Sequence, residues 1–317
     1  MKITEHIQQA EKTLFSLEIL PPMKGGSIEG LFKTIERLAE FNPSFIDVTY
    51  HREEFIMRKR RDGSYDRVSI RKRPGTVAIC AAIMNRFNID AVPHIICGGF
   101  NRDETENALI DLHFLGIENV LLLRGDNQRG ERKFSPEENG NKNALQLVNQ
   151  VVNMNNGIYL DEELKNPNPT DFCIGVAAYP EKHIDAPNMQ SDLNFLKRKV
   201  DAGAEFATTQ MFYDNASYLK FVDLCRANDI SIPIIPGIKP ITRRSQLYSL
   251  PNIFNIDIPE ELCREIESAD TDEKVEEIGI EWCIQQCREL IKHNVPVLHF
   301  YTMGNADITR RITKEIF

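Results

Sequence analysis

The chain has 317 residues, 42% of them apolar, and carries 38 Lys and Arg against 47 Asp and Glu, a formal net charge of −9. That balance speaks against non-specific nucleic-acid binding, which needs a broad positive surface. No apolar run approaches the ~20 residues that span a bilayer, and Met1–His6 lacks the apolar stretch of a secretory signal, so a soluble cytoplasmic protein with no membrane partner is expected.

Short apolar runs recur along the chain: Leu14–Leu20, Phe45–Thr49, Ala91–Ile96, Val120–Leu123, Ile174–Ala178, Phe206–Gln210, Ile232–Pro236 and Val297–Phe300. Each has the length and near-continuous apolar character of a parallel strand buried on both faces. Helical patterns lie between them. Ile28–Glu40 carries Leu31, Ile35 and Leu38 at three-to-four spacing, and Arg102–Leu115 carries Leu109, Leu112 and Leu115. Gln190–Ala202 ends at Gly203, a suitable cap, and Asn215–Ala227, Asp272–His293 and Asn305–Phe317 follow the same rule. The alternation predicts an α/β fold, a single (β/α)8 TIM barrel over residues 1–317; an open doubly wound sheet is the alternative. Arg52–Pro74, which is highly charged, and Asn153–Asp171, which is rich in Asn and Pro, fit no element and read as two long loop insertions. The basic runs at 58–61 and 71–73 are solvated faces or local steering for a polyanionic ligand.

A β/α barrel builds its active site at the carboxyl ends of its strands. Polar residues stand at every one of these ends: Glu18, Thr49-Tyr50-His51, His94, Arg124-Gly125-Asp126, Tyr179-Pro180-Glu181, Thr209-Gln210, Lys239 and Tyr301-Thr302. Glu18 is flanked by Leu17, Ile19 and Leu20, a low-dielectric setting that raises a carboxyl pKa and suits a general acid; the alternative is a structural carboxylate paired with a lysine. Asp126 after Arg124-Gly125 is equally a turn aspartate. His94 is equally a hydrogen-bonded core histidine. Gln210 can donate to and accept from a planar heterocycle, and Lys199, on the helix ending at Gly203, suits a phosphate if it faces the loops.

No Walker motif and no G-x-G-x-x-G follows a strand, so a dinucleotide would have to bind without a Rossmann loop. The seven cysteines form no C-x-x-C pair, and Cys283 and Cys287 are the nearest two. Reduced, buried thiols are expected, with no zinc ribbon, disulfide framework or other metal site. A Schiff-base aldolase or lyase using Lys239, with Arg243 and Arg244 nearby, is one competing function; a non-catalytic flavin- or folate-binding subunit is another.

Taken in order, the strand ends resemble the methylenetetrahydrofolate reductase family. The resemblance rests on Glu-x-x-Pro-Pro from Glu18, Val48-Thr49-Tyr50, Pro93-His94, Leu123-Arg124-Gly125-Asp126 and Ala178-Tyr179-Pro180-Glu181. It continues through the run from Asp192 to Ala204, Thr209-Gln210-x-Phe212-Tyr213-Asp214, Ile235-Pro236-Gly237-Ile238 and His299-Phe300-Tyr301-Thr302. It implies a bacterial-type catalytic barrel that holds FAD without a Rossmann domain. The implied reaction is ping-pong reduction of 5,10-methylenetetrahydrofolate by NADH or NADPH, supplying methyl groups for methionine synthesis, in a homo-oligomer. By the family pattern Glu18 is the proton donor, and Asp126 sits beside flavin and pterin. Thr49, Tyr50, His94, Arg124, Gly125, Asp126, Ala144, Tyr179, His183, Ala186, Asp192 and Lys199 match FAD-binding positions. Asp126, Gln210 and Gln246 match substrate contacts.

Two positions depart from the pattern. Thr302-Met303-Gly304-Asn305 stands where the family shows Thr-Leu-Asn-Arg, so the arginine contact to the outer folate is not carried over. Asn143-Ala144 replaces a Tyr-Ala, removing one stacking contact to FAD. No large extension follows the barrel, and inhibition by S-adenosylmethionine is not expected.

Overall fold

The apolar runs become parallel strands that close on themselves. In this computed structural model, which describes residues 1–127 and 133–317, the strands are β1 (Leu14–Ile19), β2 (Phe45–Val48), β3 (Glu54–Lys59), β4 (Tyr65–Ile70), β5 (Asp90–Ile96), β6 (Asn119–Leu123), β7 (Cys173–Ala178), β8 (Phe206–Thr209), β9 (Ile234–Ile235), β10 (Gly237–Ile238) and β11 (Val297–Tyr301). The large sheet runs β10-β11-β1-β2-β5-β6-β7-β8-β9. Its two ends are one strand interrupted at Pro236, with β9 pairing to β8 and β10 to β11. Proline has no N–H to give a ladder, but its carbonyl accepts from His299 N–H at 3.1 Å. The sheet is therefore an eight-stranded barrel, as the sequence pattern predicts.

Strand periodicity divides the interior into two zones, because alternate side chains point inward. At the floor, Phe45, Val92, Leu121, Cys173, Phe206, Ile235 and Val297 pack together, with Ile3 of helix α1 (Ile3–Gln9) against them. Each large apolar side chain so buried contributes about 1.5–3 kcal/mol. Two residues further along β2, β5, β8 and β11 the inward positions are Asp47, His94, Thr208 and His299. The floor is apolar and the carboxyl end is polar.

Outside the strands, Leu17, Ile46, Ile95, Leu122, Ile174 and Val176 face the helices. The helices are α2 (Glu29–Leu38), α3 (Thr76–Phe87), α4 (Arg102–Phe114), α5 (Ala144–Asn155), α6 (Met189–Ala202), α7 (Asn215–Ala227), α8 (Gln246–Phe254), α9 (Glu260–Ser268), α10 (Asp272–Lys292) and α11 (Ala306–Ile316). Side-chain oxygens of Asn101, Asn143, Asn188, Asp214 and Thr271 cap α4, α5, α6, α7 and α10, a contribution of about 1 kcal/mol each.

Several elements escape the periodicity. α3 is apolar on most faces and shows no polar stripe, and α5 is rich in Val and Asn, poor helix formers. Arg52–Pro74 is not featureless: β3 and β4 form an antiparallel hairpin. Gly63 at φ +89° and an Arg60 N–H to Ser64 carbonyl bond of 2.7 Å close its turn. The Asn153–Asp171 stretch begins inside α5, and its remainder is held by Asn155, which accepts from Thr170 Oγ1 at 2.7 Å and donates to the Phe172 carbonyl at 2.9 Å.

One helix approaches the barrel more closely than a side chain permits. A Cβ at Gly279 of α10 would lie 1.6 Å from the Ile241 carbonyl oxygen, whereas one at Gly30 of α2 would meet nothing within 4 Å. Gly279→Ala is expected to cost about 1–3 kcal/mol or more through overpacking. Gly30→Ala should add about 0.5–1 kcal/mol. Thermal melts of the two variants should move in opposite directions from the parent.

Candidate active site

Glu18 sits in β1 in register with Tyr301 of β11 and Asp47 of β2. Its backbone is fixed from the neighbouring strand: Thr302 donates its hydroxyl to the Glu18 carbonyl at 2.8 Å. Thr49, just past β2, donates both N–H and Oγ1 to the Ile19 carbonyl, at 3.1 and 3.3 Å. The Glu18 side chain is 14% exposed, and its Oε2 lies 3.6 Å from His94 Nε2. The partner is thus a histidine and not the lysine of the structural alternative. Burial pushes the Glu18 carboxyl up to about 7; the attraction of His94 works against this and the charge of Asp47 adds to it.

His94 Nε2 also lies 3.3 Å from Asp47 Oδ2. Burial disfavours the imidazolium, but the Asp47 hydrogen bond and the Glu18 and Asp47 charges outweigh it, and the His94 pKa is raised. On β11, His299 pairs Nδ1 with Ser16 Oγ at 2.8 Å and stacks on Phe45. Tyr301 donates its hydroxyl to the Thr209 carbonyl across the barrel mouth.

A second group gathers at the ends of β6 and β7. Arg124 pairs with Asp185 and lies 5.4 Å over the Phe134 ring. Gly125 holds φ +85°, and a Cβ there would press on Ile96 at 3.2 Å. His183 Nδ1 accepts from Asp185 N–H at 3.0 Å, leaving the proton of the neutral ring on Nε2. Burial, then Arg124, lowers the His183 pKa. Tyr179 stands edge-on to that ring at 4.7 Å. Asp192 Oδ2 accepts from His183 N–H at 2.8 Å. Lys199 is buried and does face the strand ends, donating to the Ala177 carbonyl at 2.8 Å. Burial draws its pKa down to about 8, opposed by Asp192. Ala186 lies in the same loop, its carbonyl accepting from Lys182 Nζ at 2.9 Å.

Asp126 is exposed at the mouth, where its charge reaches His51 beyond β2 and Tyr179 beyond β7. Tyr50 packs on Phe100 at 4.9 Å, and its pKa is raised by burial against the pull of Arg71. Gln210 closes β8 with its N–H on the Ala178 carbonyl at 2.9 Å, and its Oε1 accepts from Met211 N–H. Gln246 is different: its Oε1 accepts from the N–H groups of Thr242 and Arg243 at 2.7 and 3.0 Å, so its amide closes the turn into α8. Ala144 is buried at the first turn of α5. Lys239 is buried with a pKa lowered by burial and then by Arg243.

Asp47 is the residue that sequence reasoning passes over. It carries the same signal as Glu18, a carboxylate between Ile46 and Val48 inside an apolar strand. Among the described residues no group of three or more His, Cys, Asp or Glu is placed to hold a metal ion. No described helix is long and apolar enough to cross a membrane.

The methylenetetrahydrofolate reductase family model matches residues 2–316. The Arabidopsis thaliana methylenetetrahydrofolate reductase (NADH) 1 is 33% identical over 317 residues, covering 96% of this chain and 49% of that protein. The chain thus spans about half the length of that relative. The Salmonella typhimurium 5,10-methylenetetrahydrofolate reductase is 33% identical over 298 residues, covering 94% of this chain and 88% of its own. Among solved structures, a Clostridium thermocellum protein described as binding two copies of 5-methyl-5,6,7,8-tetrahydrofolic acid superposes with a TM-score of 0.56. It is 14% identical, with 99% of each chain covered, a likeness of fold alone. With a matching family model across almost its whole length and a bacterial relative matched over most of both chains, this protein belongs to the methylenetetrahydrofolate reductase family.

Proposed function

We propose that this chain reduces 5,10-methylenetetrahydrofolate to 5-methyltetrahydrofolate, taking electrons from NADH or NADPH through bound FAD in a ping-pong cycle. The observation that carries the reading is Glu18: a carboxyl at the polar end of the barrel whose pKa lies at about 7, so that it still holds a proton near neutrality. A general acid needs that property, and such an acid typically contributes about 10²–10⁴-fold.

The residues at the ends of β6 and β7 fit a flavin dinucleotide. Arg124 and Lys199 are cations, His183 has an Nε2–H with no partner among the described residues, and Lys199 has ammonium donors beyond the one given to Ala177. Together they can neutralise and hydrogen-bond a diphosphate without a Rossmann glycine loop. When bound, FAD supplies the two-electron relay between nicotinamide and folate.

The chain's own groups do the rest. Glu18 gives its proton to the bridging nitrogen of the folate, which opens the five-membered ring to an iminium. Asp126, exposed at the mouth beyond the β6 end, stabilises that cation. Gln210 orients whichever planar substrate occupies the space beside β8. Thr49 and Thr302, bonded to the carbonyls of Ile19 and Glu18, keep the acid from drifting.

The purified protein should show flavin absorption that bleaches anaerobically with NADH or NADPH and returns with methylenetetrahydrofolate. A colourless protein that takes up no FAD on reconstitution would overturn the reading and turn attention to Lys239. Glu18→Gln should keep the nicotinamide half-reaction and lose about 10²–10⁴-fold in folate reduction. Equal loss of both half-reactions would remove Glu18 as proton donor. Asp126→Asn should slow the folate half-reaction by about tenfold or more, equivalent to ~1.4 kcal/mol, with FAD retained; release of FAD would instead make Asp126 a binding residue only.

A further inference from the structure

Asp47 has no part in the reaction as described, yet it is 1% exposed and lies in the layer beside the acid. Its Oδ2 is 3.3 Å from His94 Nε2, and the same nitrogen is 3.6 Å from Glu18 Oε2. One N–H faces two carboxylates, and only Asp47 is within hydrogen-bonding reach. Asp47 Oδ1 is buried with no hydrogen-bond donor among the described residues, so His94 is the group that faces its charge.

Among the described residues, the other titratable neighbours supply no second cation. His299 on β11 has its pKa lowered by burial and is neutral at pH 7. His51, beyond β2, is likewise lowered by burial and then by Arg73. Tyr301 on β11 and Cys80 on α3 are both held protonated, first by burial and then by the carboxylate charges. A buried layer with uncompensated charge is costly. Two carboxyls and one imidazolium sum to zero only when one carboxyl keeps its proton. Asp47 holds the hydrogen bond, so it is the carboxyl paired with the imidazole.

We propose that Asp47 is a positioning residue for the proton transfer: as the counter-ion of His94 it leaves Glu18 without an ion-pair partner, and therefore in its acid form. The proposal rests on Glu18 being the proton donor in folate reduction.

Asp47→Asn preserves shape and removes the anion. His94 then has Glu18 as its sole counter-ion, and Glu18 gives up its proton at lower pH. Glu18 acts in its protonated form, so the folate half-reaction should fall as pH rises through about 7 in the parent. In Asp47→Asn that alkaline limb should move down by about one unit, a roughly tenfold loss above it. Reduction of the flavin by NADH over the same pH range should not change. A limb that stays in place or moves up overturns the proposal while leaving the reductase standing. A parent enzyme that fails either half-reaction overturns both. If Asp47→Asn does not fold, histidine-labelled parent protein decides the matter by NMR: His94 should remain protonated above pH 7, and a neutral His94 at that pH overturns the assignment.

Discussion

The site depends on the two-residue period of eight parallel strands. Every inward position belongs either to the packed floor or to the open end, and nothing lies between. Phe45 and Asp47 are two residues apart on β2, Val92 and His94 on β5, Val297 and His299 on β11. Each of these three strands thus gives a large apolar side chain to the floor and a polar one to the layer above it. The floor keeps water from reaching the polar layer from below. Burial can then set the protonation of the layer, and it is the largest influence on Glu18, His94, His299 and Tyr301 alike.

Burial pushes carboxyls and imidazoles in opposite directions, so the outcome at each position is decided by its partner. His299 meets only a serine hydroxyl through Nδ1 and is neutral. His94 meets two carboxylates and is driven toward the cation. Glu18 shares a cation already hydrogen-bonded elsewhere, and burial prevails. Three neighbouring groups are thus driven in different directions while each stays largely buried.

Much of this was legible in the sequence, for a physical reason. Strands buried on both faces are short apolar runs, and a polar residue inside or at the end of such a run must be accommodated by something. That pattern gives the eight strands, the barrel and Glu18; it leaves open which way Lys199 faces on α6, and the fold turns it to the strand ends. It failed where the local signal was weak. α3 has no polar stripe, and the β3–β4 hairpin is paired through charged residues such as Arg60 and Asp66 that read as loop. Asp47 was hidden for another reason. A carboxylate between Ile46 and Val48 gives no hint of its partner, because His94 is 47 residues away in the chain and adjacent only through strand pairing. The turn-closing use of Gln246 depends in the same way on a loop geometry that spacing does not encode.

Two groups of charged side chains stand at the mouth of the barrel. On the arc of β1, β2 and β5, Glu18 and Asp47 share the His94 imidazole, with Arg71 and Arg73 further out beside Tyr50 and His51. On the arc of β6 and β7, Arg124 and Lys199 give a cationic surface suited to an anionic ligand. Asp126 stands where the arcs meet, its charge felt by His51 on one side and Tyr179 on the other. A phosphate-bearing cofactor and a proton-donating acid make opposite demands on local potential, because a strong positive field beside Glu18 would strip its proton. Separating the two groups onto different strands lets both persist within one opening.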